Sequence, residues 1–166
     1  MGHQRSMSCL TREDLTKRIK YNPETGHSTY LESAGCRVVG DVVGSSPGVG
    51  YVAISIGKRR ALYHDMVWFY VTGDWPVVDV DHKDGDKRNN RWDNLRLATR
   101  SQNASNAGLR LDNELGVKGV RLLKDTGKYQ VRVSGKSYGC YEDLELAELV
   151  CHEARLSVHG EFARNE

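Results

Sequence analysis

The sequence carries almost no excess charge of either sign: 24 Lys+Arg face 22 Asp+Glu, a net +2 over 166 residues. That balance argues at first against a nucleic-acid binder, which is expected to be basic. Long apolar runs are also missing; none approaches the ~18 residues of a membrane span, and no signal-peptide pattern opens the chain. A cytoplasmic protein with no membrane partner is therefore expected. The four cysteines (Cys9, Cys36, Cys140, Cys151) include no C-x-x-C pair, which argues against a structural zinc site of paired thiolates. Nothing marks a disulfide framework either, so they read as reduced thiols, with Cys140 and Cys151 as small core residues. Internal repeats are absent. Residues 1–8 read as a loose leader, and His3 is given no role.

What is present is an ordinary globular balance, 39% hydrophobic and 28% charged, long enough for one or two small domains. Thr11 to Asp14 is a capping-box start for a short helix bearing Leu15 and Ile19, stopped by the turn Asn22-Pro23-Glu24-Thr25-Gly26. Residues 28–60 are β-like, with a strand over Tyr51–Ile56 and a turn at Gly57-Lys58. Leu62 to Val71 predicts a buried helix ended by Gly73. A strand over Val77–Val80, a polar run from Asp81 to Asn94, a strand over Leu95–Ala98 and a helix from the Thr99 capping box to about Ala107 follow. After a linker at 109–115, three strands are predicted, at Val117–Leu123, Lys128–Val133 and Ser137–Tyr141. A last helix spans about Asp143–His159, with a stripe of Ala147, Val150, Ala154 and Val158 facing the sheet.

Charge is not evenly spread over these segments. Residues 116–141 hold six Lys/Arg and one Asp, whereas residues 142–166 hold two Arg and seven Asp/Glu. A basic sheet backed by an acidic helix suits phosphates on one face, and the near-neutral total averages opposed faces.

Asp81-His82, Asn94 and Asn103 form the constellation with chemical meaning. Phosphodiester cleavage needs a base to activate water and a hard cation to stabilise charge on the phosphate. An Asp carboxylate and an Asn carbonyl suit Mg²⁺, which makes Asp81 and Asn103 candidate ligands. His82, with an ordinary imidazole pKa of about 6.5, suits the role of base. Asn94 is placed to hold its ring by a hydrogen bond. In a regular strand Asp81 and His82 point to opposite faces; both serve if the strand ends there and His82 turns into the loop at Lys83-Asp84-Gly85-Asp86.

Val80-Asp81-His82-Lys83-Asp84-Gly85-Asp86, Asn89-Asn90-Arg91-Trp92-Asp93-Asn94-Leu95-Arg96 and Thr99-Arg100-Ser101-Gln102-Asn103 together resemble the HNH endonucleases, more narrowly the phage and intron-encoded homing type. Tyr21-Asn22-Pro23-Glu24-Thr25-Gly26 and Gly73-Asp74-Trp75-Pro76 extend the likeness over roughly residues 10–106. The resemblance implies a ββα-metal (His-Me finger) core with His82 as general base, Asn94 orienting it, and Asp81 and Asn103 as metal ligands. Asn103 in the third position makes this the H-N-N variant and favours Mg²⁺ or Mn²⁺. Lys118-Gly119-Val120-Arg121, Gly127-Lys128-Tyr129 and His159-Gly160-Glu161-Phe162-Ala163 resemble the Apetala/ethylene-response-factor DNA-binding domain. That likeness implies a three-stranded sheet in the major groove, with Lys118, Arg121, Lys128 and Arg132 facing DNA. Gln130 and Lys136 join them, with Lys124, by alternation and charge alone. Arg96 and Arg100 are weaker candidates for assisting the phosphate.

Simpler roles account for several neighbours. Asn89 and Asn90 read as loop-forming through side-chain to backbone bonds, and Asn106 as a helix-end or phosphate contact. His64 reads as structural or as an auxiliary DNA contact; His27, His152 and His159 read as structural. Trp68, Trp75 and Trp92 read as packing.

The sequence thus predicts an α+β protein. An N-terminal β-rich region (1–75) precedes the ββα-metal core (76–108) and its linker (109–115), and a three-stranded antiparallel sheet plus helix (116–166) closes the chain. The predicted function is a metal-dependent homing-type endonuclease that nicks or cuts double-stranded DNA at a specific site. It would act as a monomer, or as a dimer to cut both strands, in the host cytoplasm if phage-encoded. The alternatives are a non-catalytic DNA-binding regulator with a decayed nuclease core and a structural nucleic-acid chaperone.

Overall fold

The computed structural model describes residues 10–44, 50–56, 59–109 and 112–163. Cys9 and the expected turn at Gly57-Lys58 lie outside them. The chain is a mixed α/β protein that divides into two compact units, Met1–Ala98 and Thr99–Glu166. The division falls inside the stretch assigned from sequence to the nuclease core, because the helix opened by Thr99 belongs to the second unit. Among the described residues there are four α-helices and four small antiparallel sheets. No helix among them is long and apolar enough to cross a membrane.

In the first unit, α1 (Arg12–Arg18) starts at Thr11 with both arms of the capping box formed. It ends earlier than its apolar spacing predicts: Ile19 opens strand β1 (Ile19–Tyr21), which pairs with β2 (Ser28–Tyr30) across the Asn22–Gly26 turn. Ile19 is buried all the same, since the strand presents it to the same core. β3 (Ala53–Ile56) and β4 (Arg59–Leu62) form a second hairpin. Leu62 is therefore the last strand residue and N-cap of α2 (Tyr63–Thr72), not its first turn, and Gly73 ends the helix at φ 90°. The sequence places the next strand too early. Val77 and Val78 are exposed, and β5 covers Asp79–His82, paired antiparallel with β6 (Leu95–Ala98). One core joins these elements other than β4, with Leu15, Ile19, Ile54, Met66, Val67, Phe69, Val80 and Leu95 among its buried residues.

The second unit opens with α3 (Arg100–Asn106), capped reciprocally by Thr99 and Gln102. A meander of β7 (Val120–Leu123), β8 (Lys128–Val133) and β9 (Lys136–Tyr141) follows, then α4 (Leu144–His159). Val120, Val131 and Val133 pack on Ala147, Cys151 and Ala154. Two sequence expectations are corrected here. Val158, on the last turn of α4, is 45% exposed; Cys151 and Arg155 are buried on the packed side of the helix with Ala147 and Ala154. Cys140 is exposed, because it pairs with Gln130 on the sheet face away from the valines, whereas Cys151 is buried as expected.

Met66 is fully buried at the centre of the first core. Truncation there leaves a cavity, so Met66→Ala is expected to destabilise the first unit by about 2–5 kcal/mol. Trp68, Trp75 and Trp92, the three tryptophans of the chain, all fall in that unit, so urea unfolding followed by tryptophan fluorescence should show a lowered midpoint.

Candidate functional site

The β5–β6 register sets Asp81 opposite Arg96 and His82 opposite Leu95. Alternation puts Val80 and His82 on one face of the ribbon and Asp81 on the other. Both polar side chains are buried, Asp81 at 5% and His82 at 3% exposure. Burial of a charge requires a partner. For Asp81 it is the Arg96 guanidinium, with Nε and Nη2 each 3.0 Å from Oδ2. The strand does end at His82, as the sequence requires, but His82 stays paired with Leu95, and the turn closes behind it through the Gly85 N–H donating to the His82 carbonyl.

The imidazole of His82 packs edge-on against His64, with ring centroids 5.1 Å apart and planes at 89°, and lies 6.3 Å from the Tyr51 ring. Its Nε2 is 3.2 Å from Asn90 Oδ1. Asn90 is buried (2% exposed), and its Nδ2 donates to the Arg88 carbonyl at 2.9 Å. That second bond fixes the amide so that oxygen, an acceptor, faces the ring. Nε2 must then carry the proton, and the neutral imidazole presents its lone pair at Nδ1. Burial pushes the His82 pKa below the ordinary histidine value, outweighing the Asn90 bond and the Asp84, Asp81 and Asp86 carboxylates. The same burial, with His82 beside it, pushes His64 down to about 3. Both rings are neutral at pH 7.

Asn94, expected to orient His82, directs its side-chain amide elsewhere. Nδ2 donates to Asp84 Oδ1 at 2.9 Å and to the Asn89 carbonyl at 2.7 Å, while Oδ1 accepts the Asp84 N–H at 3.1 Å. Its backbone carbonyl accepts from Lys83 N–H. Asn94 therefore ties the two ends of the polar loop, and Asn90 holds the ring. Sequence reading assigned Asn90 to loop formation, and only its place in the asparagine-rich run marked it. Partial burial alone would raise the Asp84 carboxyl; the bonds from Asn89, Asn94 and the Asp86 N–H outweigh it and hold its pKa below the usual carboxylate value.

The other candidates lie in the second unit. Asn103 is a half-buried residue of α3, and Arg100 is exposed in its first turn. Lys118, expected to face DNA, is drawn to the end of α3: Nζ donates to the Ser105 carbonyl at 2.8 Å and to the Ala107 carbonyl. Arg155 Nη2 donates to the same Ser105 oxygen at 3.1 Å. The last carbonyls of a helix lack intrahelical partners, and two cations satisfy them here. Ser105 Oγ lies 3.0 Å from His159 Nδ1, which ties α3 to the end of α4. Across the sheet, Arg121, Gln130 and Cys140 form one row. Lys128 pairs with Glu142 at 3.2 Å and Arg132 Nη2 donates to the Gly135 carbonyl. A bulge between Val131 and Arg132 sets Lys136 opposite buried Val133 rather than in the outward row, with its ammonium over the Tyr138 ring.

Among the described residues no cluster of three or more His, Cys, Asp or Glu is arranged to hold a metal. The two ligand candidates, Asp81 and Asn103, are each oxygen donors, the ligand type a hard divalent ion takes.

The HNH endonuclease family matches residues 61–105, from the end of β4 through α3. That defines the class: a nuclease domain whose members generally use divalent ions and bind DNA. Over 106 residues, 61% of this chain and 87% of its counterpart, the protein is 33% identical to Protein 3.8 of Escherichia phage T7. The chain belongs to the family of that phage protein and carries an HNH endonuclease domain at residues 61–105. The domain match stops before the C-terminal sheet. No solved structure matches the chain significantly.

Removing the Asn94 amide takes its bonds from the exposed Asp84 and the half-buried Asn89, so Asn94→Ala should cost about 1 kcal/mol at pH 7. Because the folded Asp84 pKa is depressed, its contribution is complete above the unfolded carboxyl value of about 3.9 and lost as pH falls through the lower folded value. Urea titrations should show the gap between wild type and variant narrowing below pH ~4.

Proposed function

We propose that the protein is a metal-dependent endonuclease of the homing type that hydrolyses double-stranded DNA at a specific site through a ββα-metal core. The observation that carries this reading is the buried, neutral His82, held at Nε2 by Asn90 with its lone pair at Nδ1. A base must accept a proton at neutral pH, and an imidazole kept neutral by burial does so at a defined atom. In the proposed step His82 Nδ1 takes a proton from water as the water oxygen bonds to phosphorus; the phosphorus–oxygen bond to the leaving sugar oxygen breaks, and that oxygen takes a proton from solvent water. Asp81 and Asn103 are the proposed ligands of a Mg²⁺ or Mn²⁺ ion, which would offset the charge that builds on the phosphate. Arg100 is the proposed phosphate contact, since Arg96 is engaged by Asp81. Holding the shape of the loop falls to Asn94, through Asp84.

The C-terminal sheet, with its Apetala-like motifs, is the proposed DNA-reading surface. Arg121, Lys128, Gln130 and Arg132 are assigned to it, whereas Lys118 caps α3. Phosphate contacts by these cations would place the protein on the duplex, and Arg121 is best suited to bidentate guanine recognition.

One observation favours the alternative, a DNA-binding regulator that does not cut. The Arg96 guanidinium on Asp81 Oδ2 supplies a positive charge where the ion would sit. Plasmid nicking decides between them. Cleavage with Mg²⁺, abolished by EDTA and reduced at least ~100-fold in His82→Ala, is the expected result. Full activity in His82→Ala would remove the assignment, and EDTA-insensitive binding without cleavage would establish the regulator.

Binding should also report the sheet. Arg121→Ala with Arg132→Ala is expected to weaken DNA affinity and to lower the slope of log K against log salt by about 0.9 for each phosphate no longer neutralised. An unchanged slope would move the DNA interface off the sheet.

A further inference from the structure

Residues 21–26 have no role in the proposed reaction, yet three of their contacts converge on the segment that holds His82. Tyr21 ends β1 and is buried; its hydroxyl donates to the Asn90 carbonyl at 2.7 Å. The Pro23 carbonyl accepts the Trp92 N–H at 3.2 Å. Gly26 has φ 73°, and the Asn90–Arg91 peptide crosses it so closely that a Cβ there would stand 2.5 Å from the Arg91 nitrogen and 2.6 Å from the Asn90 carbonyl carbon. No other residue fits that crossing without displacing backbone.

The turn is itself stiff. Asn22 Oδ1 accepts the Glu24 N–H at 2.9 Å and the Thr25 N–H at 3.3 Å, and the Asn22 carbonyl accepts the Gly26 N–H at 2.9 Å. From α2, the Tyr63 hydroxyl lies 2.8 Å from Ser28 Oγ and 3.2 Å from the Gly26 carbonyl. The Asn90 backbone is thus pinned by a rigid turn at its carbonyl and across its peptide. Its amide nitrogen is pinned on Arg88, and its amide oxygen is left on His82 Nε2.

We infer that the 21–26 turn is a positioning clamp for His82: by fixing Asn90 it sets the tautomer and the orientation of the ring. The inference rests on the reading of His82 as the general base, and Tyr21, Gly26 and Asn90 act through that ring. The physical reason is preorganisation. A directional bond from a side chain with two free torsions holds a ring only if the backbone that carries it does not move.

The test uses the full chain with ¹⁵N-labelled histidine at pH 8, reading the His82 tautomer from long-range ¹H–¹⁵N spectra, beside Mg²⁺-dependent nicking rates and thermal melting. Wild type should show the Nε2–H tautomer. Asn90→Ala should lose that preference and lower kcat by about 10–100-fold with KM within about twofold. Asn90→Asp, which keeps an acceptor oxygen but loses the donor to the Arg88 carbonyl, should recover the Nε2–H preference only in part. Tyr21→Phe, which removes one hydroxyl, should move tautomer and kcat in the direction of Asn90→Ala while still melting cooperatively. A tautomer unchanged in Tyr21→Phe overturns the clamp, even if Asn90→Ala alters it; so does a rise in KM with kcat intact. If His82→Ala remains fully active while Tyr21→Phe shifts the tautomer, the clamp stands and the catalytic reading fails.

Discussion

The antiparallel register of β5 on β6 is the constraint on which the site depends. It sets Asp81 across from Arg96 and His82 across from Leu95, and the two-residue period of a strand then sends the two polar side chains to opposite faces. On one face a carboxylate is buried against a guanidinium. On the other an imidazole is buried against His64, beside the core to which Val80 and Leu95 belong. A slip of one residue would exchange the faces, sending the base into the ion pair and the acid into the core. Both would then be buried without suitable partners, so the register is held by polar as well as apolar terms.

The loop between those strands is organised by side-chain amides rather than by apolar packing. Asn94 and Asp84 bond reciprocally and close its ends, Asn89 adds a second bond to Asp84, and Asn90 reaches the histidine. A polar loop of this kind buries little hydrophobic area, so its shape must come from satisfied donors and acceptors. The result is an imidazole whose surroundings are fixed on both sides: burial keeps it neutral, and an oriented amide determines which nitrogen carries the proton. These are the properties a water-activating base requires at neutral pH.

The second unit solves a different problem. Its helix α3 is short, and short helices leave a large share of their carbonyls without partners. Lys118 and Arg155 both donate to Ser105, and His159 approaches its hydroxyl. Two of the basic residues of this unit therefore serve its own architecture. The basic surface that remains on the sheet, around Arg121 and Arg132, is opposed by the acidic α4, and this separation is why a net charge of +2 is compatible with a phosphate-facing surface.

Much of this was legible in the residues. Both capping boxes, at Thr11 and Thr99, start helices where the sequence places them, because such caps are local chemistry between residues three apart. β6, β8 and the span of α4 follow from alternation and helical spacing in the same way. The HNH domain was legible from its spaced Asp, His and Asn residues, which the family match at 61–105 supports. What spacing did not decide was each asparagine's partner: Asn90 rather than Asn94 approaches the ring, because that choice depends on backbone pinned by Tyr21 and Gly26, some seventy residues earlier in the chain. Nor did it decide that Lys118 caps a helix, that Cys140 faces solvent, or that Ile19 leaves α1 for a strand. The sequence by itself determined the local elements and the set of reactive groups, whose signals lie within a few residues of one another. Only the tertiary structure decided which polar atoms meet, because those pairings are set by burial and by contacts between distant segments.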